Sequence, residues 1–179
     1  MSRARVRSFP PALGVSPRAL VLGSMPGIAS LRAVEYYAHP RNAFWPLMQA
    51  LFGVASEAPY TARVAALNAK GIGLWDVLAE CERPGSLDAA IAKESMRVNP
   101  IAALVEAHAS LRVIALNGGT AARLFDRHVA PMLRARGGGA LRVLRLPSTS
   151  PAHAARSFAQ KREAWRALVD AVDETRACA

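Results

Sequence analysis

Four short apolar runs, residues 19–22, 72–75, 111–116 and 141–146, are set among segments of helical spacing in this 179-residue chain. They are dominated by Leu, Val, Ile and Trp, as strands buried on both faces are. Each stops at a small or polar turn: Gly23-Ser24-Met25-Pro26-Gly27, Asp76, Asn117-Gly118-Gly119 and Pro147-Ser148-Thr149-Ser150-Pro151. Residues 46–52 read as a helix opened by Pro46 and closed by Gly53, and 59–69 as a second closed by Lys70-Gly71. Asn99-Pro100 reads as an N-cap with a first-turn proline, and another helix starts at Thr120. The last spans 157–175, with Phe158, Trp165, Leu168, Val169 and Val172 on one face. Such alternation predicts an α/β fold: a three-layer αβα sandwich around a central, mainly parallel four-stranded sheet.

The remaining stretches set the boundaries. Residues 1–17 read as a basic irregular arm broken by Pro10, Pro11 and Pro17, and 18–179 as a single domain without repeat or linker. Residues 79–97 allow a short helix from Ser86 or Asp88 to Met96, and Gly137-Gly138-Gly139 reads as a flexible break. No apolar run follows Arg3, Arg5 and Arg7 before Pro10-Pro11, which argues against a signal peptide, and none reaches the length of a membrane span. Cys81 and Cys178 are too few for a disulfide framework. The expectation is a cytoplasmic monomer.

Charge narrows the partner. Lys and Arg total 23 against 13 acids, for a net charge of +10 and an isoelectric point near 10.9. That favours a polyanion, nucleic acid before membrane. The predominance of Arg over Lys can follow codon preference; the sign of the charge does not. Residues 134–166 hold eight Lys or Arg and one acid, Glu163. With the hydroxyls of 148–150 and with His153 and Arg156, they offer what phosphate contacts use, although a solvated basic face has the same composition.

Two segments carry candidate chemistry. The turn at 23–27 lacks the Lys-Ser/Thr of a phosphate loop, and no Gly-x-Ser-x-Gly elbow surrounds Ser24. The long loop at 23–43 ends in an aromatic cluster, Tyr36, Tyr37, Phe44 and Trp45, with His39 and Asn42 inside it. Asn42 offers a donor and an acceptor without charge, suited to a lactam edge or a bound water. It equally suits a turn in which it bonds its own backbone.

Taken together, Gly23-Ser24-Met25-Pro26-Gly27 and Tyr37-Ala38-His39-Pro40-Arg41-Asn42-Ala43-Phe44-Trp45 resemble the uracil-DNA glycosylase superfamily, over residues 18–170. The hypoxanthine-DNA (deoxyinosine) glycosylase branch is the nearest match, with the mismatch-specific uracil glycosylases close by. The resemblance implies that Tyr37 stacks on an extruded base, with Phe44 and residues 23–27 lining its pocket. It makes Asn42 the catalytic polar residue and Asp76 the base reader. Pro147, Ser148, Thr149, Ser150 and Pro151 would enter the minor groove, with His153 and Arg156 beside them. Met25 stands where other branches carry an Asp or Asn that activates water, and Leu146 where many have His. Met25 cannot polarise water, so the resemblance puts the chemistry on Asn42 and argues against efficient Asp-based uracil excision.

The implied partner is DNA, double- or single-stranded, containing a deaminated base: hypoxanthine, with uracil or xanthine as alternatives. No cofactor and no metal are expected. Lys70, Lys93 and Lys161 lie outside the pocket segments, which implies excision without lyase activity. Two other readings compete: a catalytically silent lesion binder, and a small-molecule hydrolase with Ser24 as nucleophile and His153 as base.

Overall fold

In the computed structural model the described residues are 5–135 and 141–177. The glycine triplet at 137–139 and Cys178 lie outside them. The four apolar runs become β2 (Ala19–Gly23), β3 (Ile72–Asp76), β6 (Val113–Asn117) and β7 (Arg142–Leu146), ordered β3-β2-β6-β7 and parallel throughout. β2, completely buried, lies between β3 and β6. Helices flank the sheet: α2 (Phe44–Phe52), α3 (Tyr60–Ala69), α4 (Ile101–Ala107), α5 (Gly119–Leu124), α6 (Ala130–Ala135) and α7 (Phe158–Ala177). Trp165 of α7 and Phe44, Leu47 and Met48 of α2 are buried in the core. The expected architecture is the one found. All four parallel strands deliver their carboxyl ends to one edge, where loops and helix amino termini meet.

Four features depart from the sequence reading. Residues 5–7 are not irregular: β1 (Arg5–Arg7) pairs antiparallel with β4 (Leu78–Glu82), which pairs with β5 (Arg97–Val98) in a second, three-stranded sheet. Charge complementarity holds it, because Glu80 lies 3.6 Å from Arg5, 3.2 Å from Arg7 and 3.1 Å from Arg97. The chain then runs back along β3. Ser8 N–H donates to Ala79 O, Ala12 bridges Leu74, and the Trp75 indole donates to the Phe9 carbonyl at 2.9 Å.

Second, residues 79–97 form no single helix. β4 and β5 bracket two 3-10 turns, Asp88–Ala90 and Lys93–Ser95. Third, Asn99 does not cap α4. It is buried, and its Nδ2 donates to the carbonyls of Asp76 (2.9 Å) and Leu78 (3.1 Å), tying the end of β3 to β4. The loop at 23–43 also contains a short helix, α1 (Ile28–Ala33), below the length at which periodicity shows. Among the described residues, no helix is long and apolar enough to cross a membrane.

Candidate active site

The site is built at the carboxyl end of β2. Gly23 has no side chain there because there is no room for one: a Cβ would fall 2.5 Å from Asp76 Oδ1 and 3.6 Å from the Tyr37 hydroxyl. The register that pairs Gly23 with Asp76 across β2 and β3 creates this closeness. Tyr37 is held at φ 59°, a left-handed conformation that costs a non-glycine residue free energy and recurs where a side chain must be aimed. Its ring stacks on Phe44 at 4.0 Å, and its hydroxyl is buried near the Asn117 side chain, with no hydrogen bond of good geometry among the described residues. Burial, reinforced by the nearby Asp76 charge, raises the Tyr37 phenol well above its ordinary range. A bare Cα, a carboxyl and a buried hydroxyl thus converge at one strand end.

Asp76 is 3% exposed, and burial pushes its carboxyl up to about 7. Ser8 opposes that rise by donating its hydroxyl to Oδ2 at 2.8 Å, while Asp88 adds to it and Arg83 counters it. The pH consequence has a definite sign. Unfolded, the carboxyl titrates near its ordinary 3.8; folded, it keeps its proton to about 7. Between those values the folded state binds more protons, so this group's contribution to stability is complete at low pH and is lost as pH rises toward 7. Asp76→Asn should therefore gain melting temperature relative to the parent between pH 4 and 8. Ser8→Ala should move the same transition to higher pH. A parent-minus-variant difference in Tm that stays flat over this range rules out the assignment.

The two motif segments are joined through Asn117, at the end of β6. Its Nδ2 donates to Thr149 Oγ1 (2.9 Å), and its Oδ1 accepts from Thr149 N–H (3.0 Å). The Thr149 carbonyl accepts in turn from Ala43 N–H at 3.0 Å. Trp165 donates to the Pro147 carbonyl, Lys161 Nζ to the His153 carbonyl, and Ser150 N–H to Ser148 Oγ. The loop from 147 to 153 is therefore held by its neighbours and by its own hydroxyls.

Asn42 is half-buried beside this junction. Its Oδ1 accepts from Phe44 N–H at 3.0 Å, so the turn-stabilising role is real. That bond fixes the carboxamide while leaving one lone pair of Oδ1 and the Nδ2 group without a partner among the described residues. The two readings of Asn42 are compatible.

Other expected site residues are placed differently. Phe44 is 0% exposed beneath Tyr37, so it supports the stacking ring instead of lining the pocket. Met25 is packed in the core, and Thr149 is 1% exposed and engaged by Asn117, so neither side chain is presented outward. The Pro26 carbonyl accepts from the buried Arg83 guanidinium, whose Nη1 lies 3.8 Å from Asp88. Ser24 donates to Asp88 Oδ1 at 2.8 Å, a partner other than His153, which leaves the hydrolase reading without its base. Gly27, Ser148, Ser150 and Pro151 are partly accessible, and His153 and Arg156 are exposed.

Comparison with known proteins shows the family and the fold. The model of the uracil DNA glycosylase superfamily matches residues 10–169. The chain belongs to that superfamily. A curated relative from Methanosarcina acetivorans, named hypoxanthine DNA glycosylase, is 35% identical over 164 residues, spanning 90% of this chain and 96% of the relative. A second of the same name, from Methanosarcina barkeri, is 34% identical over 132 residues, or 73% and 79% of the two chains. A solution NMR structure from Methanosarcina acetivorans, provisionally described as a uracil DNA glycosylase, superposes with a TM-score of 0.77. It shares 32% identity and covers 95% of this chain and 99% of its own.

Four residues bonded into this candidate site were not expected from the sequence: Ser8, Arg83, Asp88 and Asn117. Only Asn117 had a local signal, as a polar residue closing a buried strand before Gly118-Gly119.

Proposed function

We propose that this glycosylase-superfamily protein flips a deaminated base out of DNA, hypoxanthine foremost, and hydrolyses its N-glycosidic bond without nicking the strand. The observation that carries the reading is the convergence of the bare Gly23 Cα, the Asp76 carboxyl and the buried Tyr37 hydroxyl. A carboxyl that titrates near neutrality can present both a donor and an acceptor, which complements the N–H and C=O of a lactam edge. Hypoxanthine, uracil and xanthine all have one. The names of the curated relatives favour the first.

Extrusion costs a few kcal/mol, and least for a base already mispaired. Stacking on the Tyr37 face not covered by Phe44 returns about 1–3 kcal/mol. Asn42, its carboxamide fixed by Phe44 N–H, orients the water that attacks the sugar carbon. Backbone amides of the turn at 23–27 receive the departing anionic base, above the buried positive charge of Arg83. The ordered loop at 147–153 tracks the phosphates. Lys161, 6% exposed with its amine bonded to the His153 carbonyl, braces that loop and is not presented as a Schiff-base nucleophile.

The test uses duplexes containing one deoxyinosine, one uracil or one xanthine, incubated with the protein and then treated with alkali. Scission at deoxyinosine only after alkali is the expected result. Scission without alkali would refute excision without lyase activity. Binding to the lesion with no abasic site formed would establish the silent binder, which the thioether of Met25, buried and unable to polarise water, favours.

A further inference from the structure

Near the site, across Asp88, lies a concavity of about 400 Å³, within the range of small-molecule pockets. One wall is the pair of 3-10 turns at 88–95; the other is α5 and the turn that follows it. Its apolar side is Ile91, Leu124 and Met96, the first two 7% exposed. Around this lie Lys93, Arg123, Arg127 and His128. The acid in the lining, Asp88, is 34% exposed at its side chain, and its Oδ1 accepts from Ser24 and lies 3.8 Å from Arg83, which offsets its charge. Lys93, Arg123 and Arg127 place three positive charges around an apolar floor, a field that favours an anion. The backbone adds an independent pointer. Residues Phe125–Val129 form a π-helical turn between α5 and α6, a deformation that is rare and concentrates at functional sites. It lies in the segment that carries Arg127 and His128.

We propose that this cleft binds a nucleotide unit of the DNA chain adjoining the extruded base, its phosphate on Arg123, Arg127 and His128 and its base against Ile91, Met96 and Leu124. The floor suits a flat ring, and the rim suits a phosphate that guanidinium groups grip. Continuity argues for a polynucleotide over a free nucleotide. Asp88 forms part of the cleft and also holds Ser24 of the glycine turn. Thr120 and Arg123, on the opposite wall, belong to the helix that starts directly after Asn117 and Gly118. This assignment extends the glycosylase reading but is decided by binding alone.

The experiment measures fluorescence anisotropy of a lesion-free duplex with a single-stranded extension against the parent, an Arg123→Ala/Arg127→Ala double variant and Met96→Glu. Both variants change accessible or half-buried positions, and circular dichroism verifies their fold. The double variant should bind at least tenfold more weakly, with a salt slope lower by about 0.9, one phosphate contact's worth. Met96→Glu should also weaken binding, through repulsion at the floor. Single-turnover excision at saturating DNA should be unchanged in both. Parental affinity and salt slope in the double variant would overturn the proposal. So would methyl shifts of Ile91 and Met96 caused by millimolar deoxyguanosine monophosphate but not reproduced by DNA, since the cleft would then serve a free nucleotide. If the parent excises no deaminated base, the glycosylase reading fails while the anisotropy still decides the cleft.

Discussion

Replacing Asn42 with Ala should lower single-turnover excision from a deoxyinosine duplex at least a hundredfold and leave DNA affinity within about twofold. The control matters because Asn42 has a structural duty: its Oδ1 caps the Phe44 N–H at 3.0 Å. Losing such a bond costs roughly 1 kcal/mol, or about 2–4 °C in Tm for a domain of this size. A loss of that size cannot empty the folded state at 25 °C, so a hundredfold deficit would be chemical. Asn42→Ser separates the two duties. Its hydroxyl can still accept from the backbone but lacks the carboxamide reach, so stability should recover and excision should not. Near-normal turnover in Asn42→Ala would remove Asn42 from the mechanism.

Gly23→Ala should be as damaging, and Gly27→Ala, four residues away, nearly silent. A methyl at Gly23 meets Asp76 Oδ1 at 2.5 Å, a separation that real Cβ atoms do not reach. The carboxyl must swing away, losing its bond from Ser8 and its place beside Tyr37. At Gly27 the nearest atom is Ser86 Oγ at 3.5 Å, an ordinary contact. Deoxyinosine excision should fall at least a hundredfold in the first variant and less than threefold in the second. Equal activities would show that the crowding at Gly23 is unrelated to base recognition.

What could be read from the sequence depended on how far apart the interacting residues lie. The parallel sheet was legible because each strand is a compact apolar run with its own turn signal. The motif around Tyr37 and Asn42 was legible because its residues are contiguous. β1 was not, since three residues of alternating charge and apolarity, Arg5-Val6-Arg7, carry almost no periodic signal and their glutamate partners lie some 75 positions later. Asn99 looked like a helix cap because the Asn-Pro pair usually is one, yet two carbonyls at the β3–β4 corner needed a donor more. Phe44 and Tyr37 read as equivalent aromatics. Only the stacking geometry divides them into a support and a presented face.

The Ser8–Asp76 bond closes a loop of 68 residues. The bond needs two elements outside the parallel sheet's own pairing, because Ser8 follows β1, which is held by β4. A chain could therefore assemble its central sheet and still lack the contact that fixes the Asp76 carboxyl beside Gly23 and Tyr37.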